Sequence, residues 1–166
     1  MIRLLLVDAC VLIDFAKADR SILTLAARHV GEVYVATPVL EEVREIDAAM
    51  AVSLGIKVFE PSLELVARAA SVRGRLSFQD RVCLLVAKAE GWTCVSNDKA
   101  LRSACEAEQV AIMLGFEVLA LLVDARALEA AGAIELAEQI AASNRRIGPA
   151  VLARFKARVT PKPRRR

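Results

Sequence analysis

The stretch IRLLLVD, residues 2–8, sets four consecutive large aliphatic residues directly in front of a carboxylate. A strand with one face in water would alternate apolar and polar side chains. An unbroken run is buried on both faces, as in parallel sheets covered by helices on either side. Four further short β-like stretches follow: EVYVAT, IKVFEP, WTCVS and QVAIMLG. Between and after them lie segments with helical spacing: CVLIDFAKA, RSILTLAARHV, PVLEEVREIDAAMAVSLG, SLELVARAASVRG, LSFQDRVCLLVAKAEG, DKALRSACEAE, FEVLALLVDARAL, GAIELAEQIAAS and IGPAVLARFKA. Strand and helix in alternation predict an α/β domain with a central, mainly parallel sheet. Local signals set the expected boundaries. Ser21 is a candidate N-cap, Pro38 suits a first helical turn, Ser77 with Asp80 three residues on forms a capping pattern, and Gly74 and Gly91 are expected helix stops.

Composition narrows the function classes. The chain is 56% hydrophobic and 26% charged, which suits a folded helix-rich domain rather than a disordered chain. Asp8 interrupts the first apolar run too early for a secretory leader, and no apolar run reaches membrane-spanning length, so a cytoplasmic protein without membrane attachment is expected. Cys10, Cys83, Cys94 and Cys105 form no C-x-x-C pair and read as reduced core thiols. His29 is the only histidine and falls near a helix end, where capping or exposure explains it. The net charge of +3 conceals an asymmetry: residues 154–166 hold seven basic residues and no acid, leaving 16 basic against 20 acidic residues elsewhere, a net of −4. The expected organisation is one domain over residues 1–158 with a basic tail, 159–166, that is solvated or touches phosphate.

In open α/β sheets, sites form beyond the carboxyl ends of the strands near a switch in strand order. Asp8 ends the first strand and Asp98 follows WTCVS by one asparagine. Asp80 lies in the first turn of the helix preceding that strand, and Glu41 and Glu42 lie early in the helix after EVYVAT. Taken singly, Asp80 and Asp98 are helix caps favoured by the macrodipole, and the two glutamates are a solvated face. Asp8 is harder to explain that way, because a charge after LLLV is partly buried and costly unless paired. If these acids converge, their mutual repulsion is relieved by a hard divalent cation with oxygen ligands, which suits water activation and charge stabilisation at a phosphoryl group. Basic residues are not interleaved with these acids.

The ordered set VDACVLIDF, PVLEEV, LSFQDRVCLLVAKAEG and CVSNDKALR resembles the PIN-domain ribonucleases, a family that includes the VapC-type toxins of bacterial toxin–antitoxin pairs. The resemblance spans about residues 2–123, and LLVDARALEAAGAIELAEQIAASNRRIGPAVLARF resembles the C-terminal helices of a stand-alone PIN subgroup. It implies a three-layer α/β/α sandwich that binds Mg²⁺ or Mn²⁺ and cuts RNA. Asp8, Glu42, Asp80 and Asp98 match the family's four acids, with Glu41 the alternative to Glu42. Asp8 and Asp98 are the implied direct ligands, Asp80 a ligand or water-orienting group, and Glu42 the residue that completes the ring or holds the attacking water. The resemblance further implies an antitoxin partner and self-association as a dimer or higher oligomer, with the C-terminal helices as interface. The chain departs from the pattern at Ala9 and Cys10, where a hydroxyl or amide is usual, and at Gln79 beside Asp80; Ser96 or Asn97 is the candidate replacement contact. Two other functions remain open: a PIN-like module that binds RNA or protein without cutting, and a metal-dependent small-molecule phosphatase. Against the phosphatase stand the lack of a D-x-D pair after the first strand and of a Gly-rich phosphate loop.

Overall fold

In the computed structural model, which describes residues 2–160, five strands form one all-parallel sheet. They are β1 (Arg3–Val7), β2 (Gly31–Ala36), β3 (Ile56–Phe59), β4 (Thr93–Val95) and β5 (Ile112–Met113), in the spatial order β3-β2-β1-β4-β5. The buried middle of this order follows from composition: Leu5, Leu6 and Val7 are at most 3% exposed, and Val33, Val35, Cys94 and Val95 are equally enclosed. The chain builds outward from β1 through β2 to β3, then returns to lay β4 on the other side of β1. The switch in strand order therefore lies between β1 and β4, at the carboxyl ends of the two strands that carry Asp8 and Asp98.

Helices cover both faces of the sheet, a three-layer α/β/α sandwich. On one side α1 (Ala9–Ala18), α2 (Ser21–His29) and α8 (Gly115–Asp124) pack together, backed by α9 (Ala130–Ser143) and α10 (Pro149–Val159). On the other, α6 (Phe78–Glu90) lies against β1, β2 and β4, flanked by α5 (Leu63–Ser71), α7 (Lys99–Ala107) and the short α3 (Thr37–Leu40). α4 (Ala48–Ser53) covers the β3 edge. Among the described residues, no helix is long and apolar enough to cross a membrane.

Several local expectations hold. Ser77 and Asp80 form a reciprocal capping box, and Gly91 ends α6 at a φ of 68°, a conformation that favours glycine. His29 is exposed at the end of α2; all four cysteines are free, three of them buried and Cys10 half-buried. Others are corrected. The single helix expected from Pro38 to Gly55 is two: α3 stops after four residues, and Asp47 restarts the chain as α4 by accepting from the Met50 amide at 2.8 Å. Between them Val43 and Ile46 turn into the core, so tertiary burial overrides helical spacing. Glu41 and Glu42 consequently sit in a turn and not on a long helix. Asp19, not Ser21, supplies the polar contact at the start of α2, accepting from the Ser21 amide at 2.8 Å. α5 ends at Ser71 with Val72 extended, before Gly74. The basic C-terminal run is partly structured: α10 reaches Val159, and its Lys156 and Arg158 pair with Glu138 and Asp124. Residues 161–166 of the expected tail lie outside the described residues.

Candidate active site

Asp8 does three jobs at the end of β1. Its amide donates to the Val95 carbonyl at 3.1 Å, continuing the β1–β4 pairing by one residue. Its Oδ1 accepts from the Val11 amide at 2.8 Å, capping α1. Its Oδ2 accepts from the Ser96 hydroxyl. The side chain is 3% exposed. Burial pushes its pKa up from the ordinary 3.8 to about 7; the Ser96 and Val11 bonds work against this, and the neighbouring Asp80 and Asp14 charges add to it.

Ser96 is the hinge of the arrangement. While donating to Asp8, its Oγ accepts from the Asp98 amide at 3.0 Å. Asp98 in turn caps α7, its Oδ1 accepting from the Leu101 amide at 2.9 Å. Capping and site membership are thus compatible, because Oδ2 remains directed elsewhere. Asp80 holds the Ser77 amide at 3.0 Å and is close enough for its charge to act on Asp8. Glu42 is exposed and lines a cleft of about 420 Å³ together with Cys10, Asp14, Asn144 and Arg146. The buried Cys83 thiol is pushed well above its ordinary range, first by burial and then by the charges of Asp8 and Asp80, with Glu42 a smaller contributor. By the order of the elements the four expected acids all fall toward the carboxyl edge of the sheet, Asp8 buried and Glu42 exposed.

The side chains do not stand as a finished coordination shell. Among the described residues, no group of three or more His, Cys, Asp and Glu side chains is gathered closely enough to hold a metal ion. Oxygen donors suit Mg²⁺ or Mn²⁺, and a carboxyl pushed towards neutrality by burial beside other acids is what a cation would relieve. Asp8, Asp80 and Asp98 are each engaged by helix-cap bonds, Asp8 also by Ser96 and Asp98 also by Arg146.

Sequence reasoning missed two of the polar groups here. Asp14, 7% exposed, accepts at Oδ2 from Asn97 at 3.1 Å and from Asn144 at 2.8 Å. Asn97 uses its other end to accept from the Gly115 amide at 3.0 Å, so α1, the β4–α7 turn, α8 and the end of α9 meet at one buried carboxylate. The signal was present in CVLIDFA: a charge one helical turn after Val11 and next to Phe15 lies on a buried face. The second is Arg146, whose Nη1 lies 3.3 Å from Asp98 Oδ2. This corrects the expectation that no basic residue stands among the acids, and no pattern in NRRIG announces it. The replacement contact expected for the missing hydroxyl after Asp8 is found at Ser96. Cys10, at one of the departing positions, holds a thiol pushed up to about 11 by burial and then by Asp8 and Asp14, which favours its neutral form. His29 precedes β2 and lies at the opposite, amino edge of the sheet.

No protein-family model and no curated protein matches this chain. The functional reading therefore rests on this geometry and on the resemblance of its motifs.

Proposed function

We propose that the protein is a metal-dependent ribonuclease of PIN type. The observation that carries this reading is Ser96, through which Asp8 of β1 and Asp98 beyond β4 share one hydroxyl at the switch point of the sheet, with Asp80 acting on Asp8 from α6. A bound Mg²⁺ or Mn²⁺ would supply positive charge for the phosphoryl oxygens and lower the pKa of water. The chain's own residues prepare this. Ser96 and the Val11 amide orient both oxygens of Asp8 and favour its ionised form against the cost of burial. Asp98 and Asp80 are held by helix-cap bonds that leave one oxygen free of the cap. Glu42, which is exposed, would complete the ring of acids or hold the attacking water, whose oxygen bonds to phosphorus as the bond to the leaving oxygen breaks. The toxin role, an antitoxin partner and self-association belong to the same proposal by resemblance alone. α9 and α10 pack on α1 and α8 of their own chain, so an oligomer through them would use their outer faces.

A second reading, an RNA-binding module that does not cut, is favoured by Arg146 occupying Asp98 and by the unassembled carboxylates. The purified chain, incubated with assorted RNAs in Mg²⁺ or Mn²⁺ and then in EDTA, separates the two. Metal-dependent cleavage that is lost in Asp8→Asn/Asp98→Asn supports the ribonuclease. Binding without cleavage supports the module, and release of phosphate from small esters alone supports a phosphatase.

A further inference from the structure

The connection between α9 and α10, residues 144–148, is pinned to the interior more firmly than a surface loop requires. Asn144 caps the end of α9 and sends its amide to Asp14 at 2.8 Å and towards the Cys10 sulfur at 3.4 Å. Its Oδ1 accepts from the Arg146 amide at 3.0 Å, fixing the two residues that follow. Asp14 is itself a buried carboxylate, a costly group to keep in a helix face that could have been apolar. What this anchor holds in place is a pair of arginines. Arg145 and Arg146 line the same cleft as Glu42, and Lys17 lines it from α1.

Arg146 sits on the solvent side of the acids. Its side chain is 59% exposed, against 20% for Asp98, and it meets Asp98 through a single contact at 3.3 Å. A guanidinium carries five donors in a planar fork. One nitrogen faces Asp98, leaving the fork available to a second anion at the mouth of the cleft. A single contact made by a mostly exposed guanidinium is a weak ion pair, so an incoming phosphate can exchange for it. Partial burial works against the Arg146 charge, while the Asp98 and Asp80 carboxylates work for it, which ties the guanidinium electrostatically to acids on which the proposed chemistry depends.

We propose that Arg146, parked on Asp98 in the free protein, is a phosphate-binding residue for single-stranded RNA at this site. The proposal rests on the ribonuclease reading above and goes further by naming a substrate contact supplied by the chain's own C-terminal region. The cation holds a backbone phosphate beside the acids, the arrangement that lets an acidic centre accept a polyanion.

The test measures binding of a fluorescently labelled single-stranded RNA oligonucleotide by anisotropy across a salt series in Mg²⁺, with full-length Asp8→Asn as the non-cleaving reference. Adding Arg146→Ala is expected to weaken binding about tenfold and to lower the slope of log K against log salt by about 0.7, one phosphate contact. Adding Arg146→Lys instead should keep the slope and recover part of the affinity, because the charge stays and the fork is lost. Unchanged affinity and slope in the Arg146→Ala form would show an ordinary surface ion pair and overturn the proposal, while leaving ribonuclease activity of the wild type standing. A reference that binds no RNA, beside a wild type that cuts none, overturns both readings. Circular-dichroism melts of the variants, expected to match the reference because Arg146 is exposed, exclude unfolding as the cause.

Discussion

Replacing Asp8 with asparagine removes a buried ionisable group at the end of β1 while keeping most of its shape and bonds. The asparagine carbonyl still accepts from Val11, and its amide can donate to the Ser96 oxygen, so the main loss is the charge. In the wild type, burial raises this acid from 3.8 to about 7. An unfolded chain therefore releases the Asp8 proton near pH 4, whereas the folded chain keeps it until about pH 7. Between those values the folded state binds one more proton, so stability falls as pH rises, by about 1.4 kcal/mol for each step of one in pH. The contribution is complete below about pH 4, and its loss is finished above about pH 7. The whole span from 3.8 to about 7 sets a ceiling on the order of 4 kcal/mol. Asp8→Asn escapes this loss. In EDTA at pH 8 it is expected to be about 2–4 kcal/mol more stable than wild type, with a gap that shrinks towards pH 4. Urea unfolding at regular intervals from pH 4 to pH 9 measures the gap directly. Added Mg²⁺ provides the second arm: at pH 8 it should stabilise the wild type, by about 2.7 kcal/mol at a hundredfold excess over Kd, and stabilise Asp8→Asn far less. A gap that does not vary with pH, or a variant less stable than wild type at pH 8, would refute the reasoning that burial of this carboxyl governs its protonation.

Two further outcomes follow from the packing. Gly31→Ala puts a Cβ 2.3 Å from the Arg3 carbonyl oxygen in the β1–β2 pair, so backbone must move; a loss of about 1–3 kcal/mol or more is expected in urea unfolding. Asp14→Ala leaves the Asn97 and Asn144 amides without their shared acceptor and should cost about 2–4 kcal/mol in the same assay. Hydrogen exchange should accelerate first around residues 143–148 in that variant, because the loop loses its anchor.

Much of the architecture is legible in the sequence. LLLV in β1 can only be satisfied by burial on both faces, and that requirement selects a parallel sheet covered by helices. Strong local chemistry also survives in the fold: the Ser77–Asp80 box and the glycine stop at Gly91 act over three or four residues and need no distant partner. The break between α3 and α4 is hidden because EEVREI has helical spacing, and only the demand of the core for Val43 and Ile46 unwinds it. β5 shrinks to two residues of the expected QVAIMLG for the same kind of reason, since an edge strand extends only as far as its neighbour, β4, pairs with it.

The candidate site divides in the same way. Sequence by itself determined which acids stand at element ends, because a carboxylate at the first turn of a helix is stabilised locally by free amide groups. That places Asp8, Asp80 and Asp98 at their caps whatever the rest of the chain does. Only the tertiary structure decided that the caps at Asp8 and Asp98 share a partner. The strand order sets β4 beside β1, and that juxtaposition lets one hydroxyl, Ser96, join Asp8 to Asp98. It also decided that Asp14, buried and doubly bonded to amides, would hold a distant loop and bring Arg146 onto Asp98. Contacts of that kind depend on long-range closure of the chain. Local propensity carries no information about them, because the partners become neighbours only after the sheet has assembled.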